Sequence, residues 1–248
     1  QLTTTGTDNT AVGSAALGSN TTGYHNTAMG RVALLSSTTA ADNTAIGYAA
    51  LQLATTGSSN VALGKNAGQN VTTGGNNIFL GKDAGITGSP GGNITTDSNF
   101  IVIGDENCTN FRGAPSYVPN SDQRDKTDFT PLDLGLAFVN KLAPVTYKWD
   151  KRSKYIDKTK PDWADTVDIN KIVPDGTHKE DWLDVGFKAQ EVESLEETFG
   201  YKKDNKTNLL YDPGGDGTSY GVRYDKFVPV LVKAIQELSA KITALEAK

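Results

Sequence analysis

One cysteine, Cys108, and two histidines, His25 and His178, are all that 248 residues offer toward thiolate or imidazole chemistry. A single cysteine forms no intrachain disulfide, and two separated histidines give no Cys/His cluster for zinc. A histidine-based catalytic triad therefore has few candidates, and neither a metal nor a cofactor is expected. Positive charge is short as well: 24 Lys and Arg against 29 Asp and Glu leave a net charge of −5. That is no footprint for nucleic acid, because displacing counterions from phosphates needs clustered cations. No apolar run approaches the ~20 residues that span a bilayer, so no membrane insertion is expected. No charged-then-apolar signal segment opens the chain, and because it starts at Gln1 and not Met, a segment upstream is expected.

What charge there is lies in the second half. Residues 1–120 hold 4 Lys and Arg and 6 Asp and Glu, whereas residues 121–248 hold 20 and 23. Glycine is skewed the other way, with 18 of 26 in residues 1–120. A break of this kind at one point predicts two regions with different physical logic, 1–120 and 121–248.

The first region is a repeat. "NTAVGSAAL" at Asn9, "NTAMGRVAL" at Asn26, "NTAIGYAAL" at Asn43, "NVALGKNAG" at Asn60 and "NIFLGKDAG" at Asn77 follow one another at 17 residues. A fixed period means stacked copies of a unit that cannot bury its apolar face without neighbours, hence a β-solenoid. Each copy carries a large apolar residue (Val12, Met29, Ile46, Leu63, Leu80), then a glycine (Gly13, Gly30, Gly47, Gly64, Gly81), then an alanine (Ala16, Ala33, Ala50, Ala67, Ala84). Large, absent and small side chains at fixed offsets describe a thin coil whose interior is filled without overpacking. Stretches such as "ATTGSSN" (54–60) and "VTTGGNN" (71–77) read as turns in which glycine supplies positive φ. The last copy departs from the period: "SPGGNITTDSN" intervenes, and Gly104 follows Gly81 by 23 residues. Such an insertion maps to a loop on the solenoid's face or to a change of coil near its end. "GSSNVALGKN" is spaced wrongly for a phosphate-binding loop, so these glycines are read as structural.

In the second region, Leu134, Ala137, Phe138 and Leu142 form a helical stripe with Thr130 as N-cap and Pro131 at the first position. "VTYKW" alternates as a strand, and "DVGFKAQEVESLEE" runs from strand into helix. Residues 151–181 are polar and read as a long loop or insertion, with Trp163 and Trp182 as anchors. "YDPGGDGTSYG", holding Asp212 and Asp216, reads as a hairpin turn rather than a calcium loop. From Val228 onward, Val228, Leu231, Ile235, Leu238, Ile242 and Leu245 alternate spacings of three and four residues, a heptad seam of about three repeats. Isoleucine at a with leucine at d favours two strands by stereochemistry alone, so this helix does not by itself specify a trimer. Packing of the helix on its own domain is the alternative.

The 17-residue repeats resemble the head repeats of trimeric adhesins of the YadA type and related fibrous segments of phage tails, which implies a β-roll or triple β-helix built from three chains. Four ordered motifs in the second region, "SDQRDK" (121–126), "KLAPVTYKW" (141–149), "VGFKAQEVE" (185–193) and "YDKFVPVLVKAIQELSAKITALEA" (224–247), resemble the self-cleaving S74 peptidase family. That family is the intramolecular chaperone at the C-terminus of endosialidases and other phage tail spikes and fibres. The resemblance implies an α+β domain, ending in a coiled coil, that trimerises, brings the upstream fibre into register and cuts itself off at Asn120–Ser121. Ser121 would be the nucleophile and Lys126 its general base, with Asp122 and Arg124 in support. The position before the lysine, usually apolar in the family, is Asp125 here, and a carboxylate beside an amine favours the charged, non-basic form.

The reading that emerges is a homotrimeric virion fibre or tail-appendage tip carrying its own folding chaperone. Single-turnover serine autoproteolysis is a second activity, a bacterial trimeric surface adhesin with the same chaperone is the alternative, and a host cell-surface glycan or receptor is a candidate partner.

Overall fold

The computed structural model describes residues 5–108, 119, 121–157, 167–214 and 217–248. The chain divides into two compact units, one of Gln1–Thr109 with Trp149–Glu180 and Gly214–Ser219, the other of Asn110–Lys148, Asp181–Pro213 and Tyr220–Lys248.

In the first unit, strands β1 (Thr10–Val12), β2 (Thr27–Met29), β3 (Thr44–Ile46), β4 (Val61–Leu63), β5 (Ile78–Leu80) and β6 (Ile101–Ile103) form one parallel sheet in chain order, each repeat position opposite its equivalent. Asparagine holds the stack. Asn43 Oδ1 accepts from Asn60 N at 2.9 Å and from Asn60 Nδ2 at 3.1 Å, while Asn43 Nδ2 donates to Gly57 O at 2.9 Å. The same pattern links Asn9 to Asn26 and Asn26 to Asn43, and Asn60 Oδ1 accepts from Asn77 N. Each buried amide is thus satisfied by the coils above and below, as burial requires.

Two expectations about the coil change. The large apolar residues do not fill the interior. The middle residue of every strand after β1, Ala28, Ala45, Ala62, Phe79 and Val102, points inward and is buried, whereas Val12, Met29, Ile46 and Leu63 are 38–53% exposed. The physical reason is coil width. Alanines from the strand and from the Ala33, Ala50 and Ala67 column, with Leu17, Leu34 and Leu51, already fill it. The turn glycines also do something different. Positive φ is carried by Ser59 and Asn76 (60° and 57°), while a Cβ on Gly57 would lie 2.4 Å from Gly74 O. Gly57 is therefore needed for the close approach of coils. At Gly47 both reasons apply: φ is +139°, and a Cβ would lie 2.3 Å from Gly64 O.

Phe79 replaces the inward alanine of earlier coils, and the space comes from the leucine column, which becomes Gly68 and Gly85. A Cβ on Gly85 would lie 2.3 Å from Phe79 Cε1, and one on Gly68 2.6 Å from Phe79 Cδ2. Volume is conserved across the change, as a close-packed core requires.

The second unit holds α1 (Leu136–Val139), the antiparallel pair β7 (Val145–Tyr147) and β8 (Asp184–Gly186), α2 (Ala189–Thr198), the antiparallel pair β9 (Tyr211–Asp212) and β10 (Gly221–Val222), and α3 (Phe227–Glu246). Leu134, Phe138, Val192, Leu210, Tyr211, Phe227 and Val230 form its core. The helix expected from Thr130 is only the short α1, and Thr130 does not cap it. Gly135 precedes it at φ −123°, ψ −141°, and the N–H of Leu136 is capped from a distance by Glu237 Oε2 at 2.8 Å. Trp182 is 55% exposed, while Trp163 and Asp216 lie outside the described residues.

Candidate functional site

The hexapeptide from Ser121 to Lys126 folds on itself. Asp122 caps a 3-10 turn (Gln123–Asp125) by accepting from Arg124 N at 2.9 Å, and the Arg124 guanidinium grips the same carboxylate, Nη2 to Oδ2 at 2.5 Å. That guanidinium, with the backbone N–H, holds the Asp122 carboxyl below the usual carboxylate range. Arg124 thereby orients Asp122. The turn closes as Lys126 N donates to Gln123 O at 3.2 Å. Lys126 then leaves in extended backbone, φ −127°, ψ 150°, and its side chain reaches back to Ser121.

Lys126 Nζ lies 2.6 Å from Ser121 Oγ and 3.3 Å from Ser121 O. This is the distance across which an ammonium donates to a hydroxyl or a neutral amine takes the hydroxyl proton. Four sequence-predicted residues, Ser121, Asp122, Arg124 and Lys126, are thus brought together by one local turn. Asn120, on the other side of the expected scissile bond, lies outside the described residues. Ser121 and Lys126 are both exposed, so a single chain supplies the geometry of a Ser–Lys pair without its burial.

The C-terminal helix has two apolar faces. Phe227, Val230 and Ala234 pack on the unit's own core, and Glu237 reaches α1. The heptad positions lie on the other face. Val228, Leu231, Ile235, Leu238, Ile242 and Leu245 are all exposed, Ile235 to 65%. Self-packing and an outward seam, alternatives from the sequence, coexist on one helix.

Sequence reasoning missed Glu196, which is fully buried on α2. Its Oε1 accepts from Leu209 N and Leu210 N at 2.8 Å each, and Oε2 from Tyr211 N at 2.9 Å. The carboxylate fastens the start of β9 to α2. No local signal marks it, because a glutamate in a charged helix reads as a solvated face until the fold brings three backbone donors to it.

Residues 121–201 match the family model for the chaperone of endosialidase, Peptidase S74. The match begins at Ser121 and takes in the Ser–Lys turn, α1, β7, β8 and α2, and it supports a C-terminal intramolecular chaperone. The β9–β10 pair and α3 follow the matched chaperone segment. No curated protein and no solved structure matches the chain.

Proposed function

We propose that this chain is the tip segment of a homotrimeric fibre whose second half is its folding and trimerisation chaperone. The observation that carries the reading is that a single chain leaves two long apolar seams uncovered. One is the outer face of the solenoid sheet, Val12, Met29, Ile46, Leu63, Ile101 and Ile103, and the other is the heptad face of α3. Apolar patches of this extent, running along an element, mark surfaces that another chain covers. The solenoid face also has flanks of opposite charge. Asp8 and Asp42 precede the ladder asparagines of the first and third copies, with His25 of the second between their carboxylates. Arg31, Lys65 and Lys82 follow the repeat glycine in the second, fourth and fifth, Lys82 being paired with Asp83 and Asp105 of its own chain. A face acidic on one side and basic on the other suits a cyclic arrangement in which each copy's basic side meets the next copy's acidic side.

Parallel solenoids built from several chains need long-range registration before any contact rewards it, and a C-terminal clamp removes that search. A virion tail fibre or appendage is the setting we favour. A bacterial surface adhesin with the same chaperone is the alternative, and a host glycan or receptor is the partner either would meet.

A second reading, single-turnover autoproteolysis, is supported by the 2.6 Å Ser121–Lys126 contact. Ser121 Oγ attacks the Asn120 carbonyl carbon as Lys126 takes the hydroxyl proton. The C–N bond breaks, the Ser121 nitrogen gains a proton, and water then hydrolyses the resulting ester to leave the Asn120 carboxylate. Trimer assembly would bury the pair and supply what one chain lacks. Native mass of freshly purified protein, beside a denaturing gel, tests both readings. The proposal predicts three chains per particle, and a monomer at micromolar concentration would sink it. A band cut between Asn120 and Ser121 supports autoproteolysis, and a chain that stays whole after assembly contradicts it.

A further inference from the structure

Two irregularities of the sequence meet in the first compact unit: the lengthened last coil and the polar segment 151–181, of which residues 151–157 and 167–180 are described there. Within the first compact unit the segment folds around its own network. Tyr155 Oη donates to Asp150 Oδ1 at 2.8 Å, Gly176 N donates to Asp150 Oδ2 at 2.9 Å, and Arg152 joins Asn170 Oδ1 at 3.0 Å and Thr218 O. It then meets the end of the solenoid at three places. Lys151 Nζ donates to Glu106 O at 2.9 Å, Lys154 Nζ donates to Asn107 Oδ1, and Ser153, only 6% exposed, sits against Gly88 in the added loop. A Cβ on Gly88 would lie 2.7 Å from Ser153 Cβ, so glycine is what admits the contact. The loop is shaped from within, since Ser89 Oγ accepts from Gly85 N at 3.0 Å and donates to Gly92 O at 3.2 Å. A solenoid otherwise ends on an open coil edge, which invites pairing with other chains, and covering it is a standard requirement of such folds.

We propose that residues 149–157 and 167–180 are the end cap of the solenoid, and that this cap holds the 121–248 fragment to the fibre without a covalent bond after any cut at Asn120–Ser121. The cap lies downstream of the cut and its seat upstream, so cutting the chain does not by itself separate them. Lasting separation requires the Lys151, Ser153 and Lys154 contacts to open.

The test uses the full chain, cut by itself or, if it stays whole, by a site-specific protease acting on a recognition sequence inserted after Pro119. Failure of self-cutting and failure of the cap are thereby read separately. On native size exclusion the two fragments of the wild-type sequence are expected to elute together and to separate only under denaturing conditions. Ser153→Trp, which wedges the seat at Gly88, and the pair Lys151→Glu and Lys154→Glu are expected to release 121–248 as a separate peak. Should Ser153→Trp prevent folding, the milder pair Lys151→Ala and Lys154→Ala carries the same comparison. Wild-type fragments that separate on the native column, or variants that hold together as the wild type does, overturn the proposal.

Discussion

Ser121 and Lys126, paired in the sequence only through the family resemblance, reach each other because the short turn between them suffices. Asp122 as cap and a 3-10 turn are local choices, and no distant group is needed for the 2.6 Å approach. Ser121→Ala or Lys126→Ala is expected to abolish any cut at this bond, read by intact mass after expression. Asp125→Leu, which removes a carboxylate adjacent to the proposed general base, should speed any cutting severalfold, and an unchanged or slower rate would show that Asp125 does not restrain it. Glu196 illustrates what stays illegible. Replacing it with alanine leaves three buried backbone N–H groups of residues 209–211 without their acceptor, a loss of about 3 kcal/mol or more by denaturant unfolding. Tyr201 offers a pH readout. Its hydroxyl donates to Asp133, and that bond, with some burial, pushes its pKa from 10.0 up to about 12. A tyrosine pKa raised by folding means stability that is complete below about pH 10 and lost as pH rises through about 12. Absorbance titration should show several late-ionising tyrosines, since burial also pushes the Tyr211, Tyr147 and Tyr155 hydroxyls up, and Tyr201→Phe should remove the step at about pH 12 and leave the others.

At the scale of the element, the 17-residue period located all five regular strands, because repetition is independent of which side chain faces in. Facing was harder to read. A short strand of three residues has one inward position, and the alanine there looks less like a core residue than the isoleucine or methionine beside it. The Phe79 coil tests the packing account. Phe79→Ala is expected to cost about 3–5 kcal/mol by emptying the coil. Gly68→Leu alone should cost about 1–3 kcal/mol by overpacking against the ring. Together the two substitutions recreate the Ala–Leu pairing of Ala62 and Leu51 one copy earlier, so the double variant should recover most of the loss. Simple additivity in denaturant unfolding would contradict the volume exchange. The expected long helix from Thr130 failed for the opposite reason: Gly135 and the remote cap from Glu237 decide where α1 starts, and neither is a local helix signal.

For the molecule as a whole, the apolar residues one chain leaves exposed outweigh any pocket as a guide to what it does. The heptad face of α3 is free of its own unit, so Ile235→Glu should lower the native mass to that of a monomer while the helix and the Phe227–Val230 core remain, as read by circular dichroism. In the proposed trimer the outer face of the solenoid has to find two partners in one register. The account's central claim is that residues 121–248 solve that problem for it. The most direct measurement is the soluble yield and native mass of the repeats expressed with and without residues 121–248. The account predicts soluble three-chain particles from the full sequence and aggregated or monomeric repeats from residues 1–120 alone. A soluble trimer formed by the repeats alone would contradict it.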